Sequence, residues 1–104
     1  MNHSALKNAV LVRLSEMGVF AWNNATGVAT PLGQTRIVRY GMRGAPDIMG
    51  ILPNGRFLGV EIKTGCGRQS AAQIVWSNRC AEVGGLYIVV RDLKDIDALA
   101  DVTA

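Results

Sequence analysis

The sequence predicts an α/β fold, a mixed β-sheet flanked by α-helices, and three observations carry that prediction. Residues 57–90 read as strand, helix, strand, a unit that implies a parallel crossover. Residues 44–63 read as two apolar strands about a Pro-Asn-Gly turn, an antiparallel hairpin. The N-terminal segment repeats apolar residues at helical spacing. The full order is α-β-β-β-β-α-β-α in one domain spanning residues 1–104.

The first helix is expected over 4–17, with Leu6, Ala9, Val10, Leu14 and Met17 on one face. Asn2 or Ser4 supplies its cap, Gly18 its end, and His3 falls just before it. Val19 to Trp22 is a short strand, and Asn23 to Gln34 is a long polar loop. Arg36 to Tyr40 is a second strand, and Gly41 to Gly44 leads into the hairpin. Ser70 and Gln73 match a capping box and open a helix over about 71–83, which stops at Gly84-Gly85. Within it, Trp76 is expected to be packed or at an interface and Cys80 to be a free thiol in the helix core. Leu86 to Val90 is a continuous apolar strand of the kind found at the centre of a sheet. Asp92 then begins a short last helix with Leu93, Ile96, Leu99 and Ala100 at helical spacing.

Composition narrows the function classes. An apolar content of 49% and a mean hydropathy of +0.20 are high for a small monomer and hint at a buried oligomer surface. No apolar run approaches the ~20 residues of a membrane span. The N-terminus lacks a signal-peptide pattern, so the expected location is cytoplasmic, with no membrane partner. The two cysteines, Cys66 and Cys80, lack zinc-site spacing. The formal charge of +3 is uneven: residues 92–104 carry one lysine against four aspartates, and residues 1–91 carry ten basic groups against four acidic ones. Arg36, Arg39, Arg43, Arg56 and Arg68 cluster around the hairpin, as a phosphate-binding surface requires.

The hairpin holds the chemistry. Asp47 interrupts its first apolar run, and Glu61 and Lys63 interrupt its second. A two-residue loop at Asn54-Gly55 would put Asp47 and Glu61 on opposite faces. Pro53 favours a three-residue loop, Pro53-Asn54-Gly55, ending in a left-handed Gly55. Leu52 then pairs with Arg56, and Asp47 falls opposite Glu61. Asp47, Glu61 and Lys63 share one face, while Ile48, Leu52, Leu58, Val60 and Ile62 form the core face. Opposed carboxylates roughly 5 Å apart at Cβ repel and attract a divalent cation. Asp47 and Glu61, helped by the Ile62 main-chain carbonyl, are the candidate metal ligands. Lys63 is placed to orient a water or to neutralise developing negative charge. The alternative is a structural ion pair of Lys63 with Asp47 or Glu61.

At these residues the chain resembles a known group. Pro46-Asp47 followed by Glu61-Ile62-Lys63 looks like the signature of the PD-(D/E)xK nuclease superfamily. Trp22-Asn23-Asn24, Tyr40-Gly41, Gly44-Ala45-Pro46-Asp47-Ile48, Gly67-Arg68-Gln69-Ser70, Gln73 and Gly84-Gly85 are similar to one branch of it. That branch is the VRR-NUC (virus-type replication-repair nuclease) domain, in its small stand-alone phage and bacterial form. The resemblance runs from about residue 3 to residue 91.

The resemblance implies a restriction-endonuclease-like fold and a Mg²⁺- or Mn²⁺-dependent deoxyribonuclease. By it, Asp47, Glu61 and the Ile62 carbonyl hold the metal, Lys63 is catalytic, and Gln73 stands on the helix beside the site. It also implies a homodimer that cuts branched DNA, such as a four-way Holliday junction. Asn23, Asn24, Arg43 and Arg68 are the candidate DNA contacts. One position departs from the pattern. The acid usual near the start of the first helix falls at His3, a poorer ligand for Mg²⁺ but acceptable to Mn²⁺. The competing functions are a non-catalytic DNA-binding module that keeps the fold, and a general DNA exonuclease.

Overall fold

The computed structural model describes residues 1–25, 27–30 and 32–103, with 27–29, 38–40, 102 and 103 described as backbone only. Helix α1 (His3–Glu16) opens at Asn2, whose Oδ1 accepts from the Ala5 N–H at 2.8 Å. Asn2 is therefore the cap, and His3 is the first residue of the helix rather than a residue before it. Strands β1 (Phe20–Asn23), β4 (Ile48–Ile51), β5 (Phe57–Ile62) and β6 (Leu86–Val90) form a four-stranded sheet in the order β1-β4-β5-β6. The first two pairings are antiparallel, and β5 with β6 is parallel. The parallel pair is joined by α2 (Ala71–Glu82), so the mixed sheet and the expected crossover are both present.

Two expectations need correction. The span 23–34 contains strand β2 (Gly27–Ala29), and the strand expected over 36–40 is the shorter β3 (Val38–Tyr40). These two pair with each other as a separate antiparallel ribbon. Backbone pairing within the ribbon overrides the polar, glycine-containing composition that reads as loop. The last helix is mostly a 3₁₀ segment (Leu93–Leu99), followed by a single α-turn, α3 (Ala100–Thr103). Asp92 caps that segment in a capping box with Asp95.

The core lies on one face of the sheet. Ile48, Leu58, Val60, Ile62 and Val90 are buried there against Leu6, Val10 and Leu14 of α1 and Ile96 and Leu99 of the 3₁₀ segment. The opposite face carries Phe57, Glu61 and Tyr87 beneath α2. Trp76 of α2 lies between Phe57 and Tyr87, with ring centroids 5.8 Å from each. Cys80 is buried and Cys66 exposed, and both are free thiols.

Candidate metal and catalytic site

The site is built where the β4–β5 ladder ends. The Leu52 N–H donates to the Arg56 carbonyl at 2.8 Å, and the Gly55 N–H to the Leu52 carbonyl at 2.8 Å. Gly55 has φ +86, so the loop is the three-residue one with a left-handed glycine. The register pairs Ile48 with Val60 and Ile51 with Phe57. Continued one step, it sets Asp47 opposite Glu61. Because Leu52–Arg56 is a hydrogen-bonded pair, alternation makes Asp47–Glu61 a non-hydrogen-bonded pair, the kind whose side chains stand closer.

There the ladder ends: Pro46 leaves the strand and its ring lies over Gly59, where a Cβ would stand 2.9 Å from Pro46 Cγ. The Ile62 N–H donates to Asp47 Oδ2 at 2.8 Å. Within a strand the N–H and C=O of one residue point the same way. The Ile62 carbonyl therefore faces the Asp47 edge without a strand donor opposite it. Asn24 fixes the segment from the other side. Its N–H donates to the Asp47 carbonyl at 2.8 Å and its Nδ2 to the Pro46 carbonyl at 3.0 Å.

Glu61 is 3% exposed. Its Oε1 accepts from Gln73 Nε2 at 2.9 Å, and Lys63 Nζ lies 3.8 Å from the same oxygen. Its Oε2 is buried with no hydrogen-bond partner. Burial first, then the charge and the close carboxyl of Asp47, push the Glu61 pKa up to about 8, against the opposing effects of Lys63 and the Tyr87 hydroxyl. Neither Asp47 nor Tyr87 makes a hydrogen bond of standard geometry to Oε2. If the site were only the Glu61–Lys63 ion pair, its geometry would be poor. The contact is long and one buried oxygen is orphaned, a costly arrangement for a charge without further partners. A cation answers both the orphaned oxygen and the carboxylate repulsion.

Gln73 reaches Glu61 because of how α2 begins. Ser70 Oγ accepts from the Gln73 N–H at 3.1 Å, and Gln73 Oε1 accepts from the Ser70 N–H at 2.8 Å. The capping box uses the amide oxygen and leaves the amide nitrogen for Glu61. Gln73 thus serves as cap partner and site residue together.

His3 Nε2 lies 3.3 Å from Asp47 Oδ2. The first helix therefore delivers an imidazole to the edge of the site. Among the described residues no three His, Cys, Asp or Glu side chains form a metal-binding group. Two carboxylates and a main-chain carbonyl still suit a hard cation such as Mg²⁺, which keeps several waters and shares its shell with phosphate oxygens. The donor set and the orphaned Oε2 fit that group.

Asn23, Arg43 and Arg68 are exposed, and Arg43 lines a groove between α2 and the sheet, while Asn24 is partly buried and engaged with Pro46. Arg36 is exposed and donates to Gln34 Oε1 at 2.8 Å. Arg56 is committed elsewhere, with Nε donating to the Gly84 carbonyl at 2.7 Å. The side chain of Arg39 lies outside the described residues. Tyr87 is the neighbour that sequence reasoning missed. Burial pushes its pKa up to about 12, and its hydroxyl accepts from Gln69 Nε2 at 3.5 Å. A tyrosine inside an apolar strand reads as core, so no sequence signal marked it.

Comparison with known proteins adds one fold assignment. No protein-family model matches the chain, and no curated protein does. A solved structure described as a VRR_NUC domain matches with a TM-score of 0.66 and 22% identity, over 95% of this chain and 94% of the other. At that identity the likeness concerns the fold: this chain has the α/β fold of a VRR_NUC domain.

Proposed function

We propose, taking the VRR_NUC fold as premise, that the chain is a divalent-metal-dependent deoxyribonuclease that hydrolyses phosphodiester bonds in branched DNA as a homodimer. The single observation that carries this reading is the orphaned, buried Glu61 Oε2 beside Asp47 at the end of the hairpin. Asp47, Glu61 and the Ile62 carbonyl would hold Mg²⁺ or Mn²⁺. When bound, such an ion acidifies a coordinated water and stabilises charge on a phosphate oxygen.

The chain's own residues do the rest. Gln73 holds the Glu61 carboxylate in one orientation, and the Ile62 N–H holds that of Asp47. Lys63, 17% exposed at its side chain and 3.8 Å from Glu61 Oε1, stands beside the reacting phosphate and offsets the negative charge that develops on it. His3 flanks Asp47 where it favours Mn²⁺ over Mg²⁺. Arg43 and Arg68, with Asn23, receive the flanking phosphates, while Asn24 holds the Pro46-Asp47 segment in place. A second copy related by a two-fold would supply the second cut across a four-way junction.

Incubating the protein with a labelled four-way junction, a linear duplex of the same sequence, and Mg²⁺, Mn²⁺ or EDTA tests the reading. Paired cuts in the junction, faster in Mn²⁺ and absent in EDTA, are expected. Degradation of the linear duplex from its ends would make the protein an exonuclease. Binding without cutting in either metal would make it a DNA-binding module.

A further inference from the structure

A groove of about 970 Å³ runs between α2 and the sheet. Met49 and Phe57 line it from the sheet, and Val75, Trp76 and Arg79 from the helix. Arg43 and Ala72 close one end, and Arg56, Val83 and Gly84 the other. From Ala72 to Val83 the chain rises roughly 17 Å at helical spacing, so the groove is long enough for a short run of nucleotides. Three arginines line it and, among the described residues, no acid does. Arg79 stands 4.0 Å from Glu82, outside the lining, in an exposed pair whose attraction water screens. Arg56 spends its N–H groups on the Gly84 and Gly85 carbonyls, which fixes its place and leaves its charge uncancelled. Between the arginines the lining is apolar. Phe57 and Trp76 are half-buried there, with ring centroids 5.8 Å apart. The Trp76 Nε1–H donates to Met42 Sδ at 3.0 Å and so fixes a largely exposed methionine on the same lining.

Positive charge at both ends of an apolar, aromatic lining is the complement of a nucleic-acid strand whose bases are unpaired. The phosphates of such a strand meet the arginines, and its bases leave water for Met42, Phe57 and Trp76. A duplex keeps its bases stacked inside and offers none of their faces to the lining. An apolar peptide would leave three cations without partners, and a second copy of this groove would set arginines against arginines.

We propose that this groove holds a short unpaired strand of DNA, with phosphates on Arg43 and Arg79 and bases against Met42, Phe57 and Trp76. The inference rests on the nuclease reading above and adds the path that an unpaired strand takes from the site. Ala71 and Ala72 line the groove and directly precede Gln73, whose amide holds Glu61, so a strand in the groove continues toward the metal site.

Fluorescence anisotropy in EDTA tests it, with a labelled single-stranded thymine oligonucleotide, a duplex of the same length and an abasic strand of the same length as probes. The proteins are the full chain, Val75→Glu, Arg79→Glu and Lys94→Glu. Lys94 is exposed on the 3₁₀ segment, which packs on the other face of the sheet, so its variant carries the same charge reversal away from the groove. All three positions are exposed, and the far-UV circular dichroism of each variant should match that of the parent. The parent is expected to bind the thymine strand about tenfold or more tighter than either other probe. Val75→Glu and Arg79→Glu should each weaken that binding by about tenfold or more, and Lys94→Glu by less than about threefold. Equal affinity for the three probes, or equal effects of Arg79→Glu and Lys94→Glu, would overturn the inference. So would strand binding untouched by Val75→Glu in a protein that this substitution converts from twice the 11.1 kDa chain mass to the single-chain mass, since a second copy would then fill the groove. The two readings fail separately. A protein that cuts a junction in Mn²⁺ without preferring the thymine strand overturns the groove alone. One that prefers the thymine strand and cuts nothing overturns the nuclease reading and supports the groove.

Discussion

Glu61 is the residue on which the site turns. A carboxyl held neutral by burial stabilises the folded state only while it stays protonated. Its folded pKa of about 8 lies above the ordinary value of 4.5. The folded state therefore binds the proton more tightly than the unfolded state does. The resulting stability is fully present below about pH 4.5, falls as pH rises, and is gone above about pH 8. The metal-free protein should lose on the order of a few kcal/mol of stability across that window. Thermal melts in EDTA at a series of pH values check this. Glu61→Gln should flatten the profile, and Mn²⁺ should restore the melting temperature of the parent at pH 8 and not that of the variant. Asp47, Glu61 and Lys63 were legible in the sequence because charges in apolar strands break a period-2 pattern. The single proline in the turn was enough to settle their common face. Tyr87 was not legible, because an aromatic residue in a continuous apolar strand breaks no pattern. Nor was the engagement of Asn24 with Pro46, which depends on β1 lying beside β4, a pairing distant in sequence.

At the scale of elements, the site depends on α2 meeting the hairpin closely. Gly44 has φ +83, and a Cβ there would collide with the Ala72 carbonyl at the start of α2. Gly44→Ala must push that helix away and adopt an unfavourable backbone conformation. It should cost about 2 kcal/mol or more in denaturant unfolding. It should also weaken Mn²⁺ binding measured by calorimetry, because Gln73 moves with the helix. The helices and the central strands were readable from periodicity and caps, down to the capping box at Ser70. The β2–β3 ribbon was not. Its strands are three residues each, too short for a periodic signal, and only their mutual pairing defines them. The 3₁₀ geometry of Leu93–Leu99 was also hidden, since apolar spacing of three and four residues suits either helix type.

At the scale of the whole molecule, charge and apolar surface are divided. The acidic end of the chain packs against α1, where Asp97 Oδ1 accepts from Arg13 at 2.9 Å. The basic residues Arg43 and Arg68 remain exposed. Affinity for a four-way junction should therefore fall steeply with salt. Arg43→Ala and Arg68→Ala should each reduce the slope of log affinity against log salt by about 1. Fluorescence anisotropy titrations across a salt series would check that. Part of the high apolar content visible in the composition stays exposed on the sheet, at Phe20, Trp22 and Ile51. Composition does not say which face is left open, since that depends on where α2 comes to rest.

The central claim is that Asp47, Glu61 and Lys63 form a phosphodiesterase centre. Single-turnover cleavage of a four-way junction in Mn²⁺, by the parent and by Lys63→Ala, tests it most directly. The account predicts cutting by the parent, with the variant slower by roughly 10²–10⁴-fold and unchanged in junction affinity. Equal cleavage rates for the two proteins, or a parent that binds the junction and never cuts it, would contradict it.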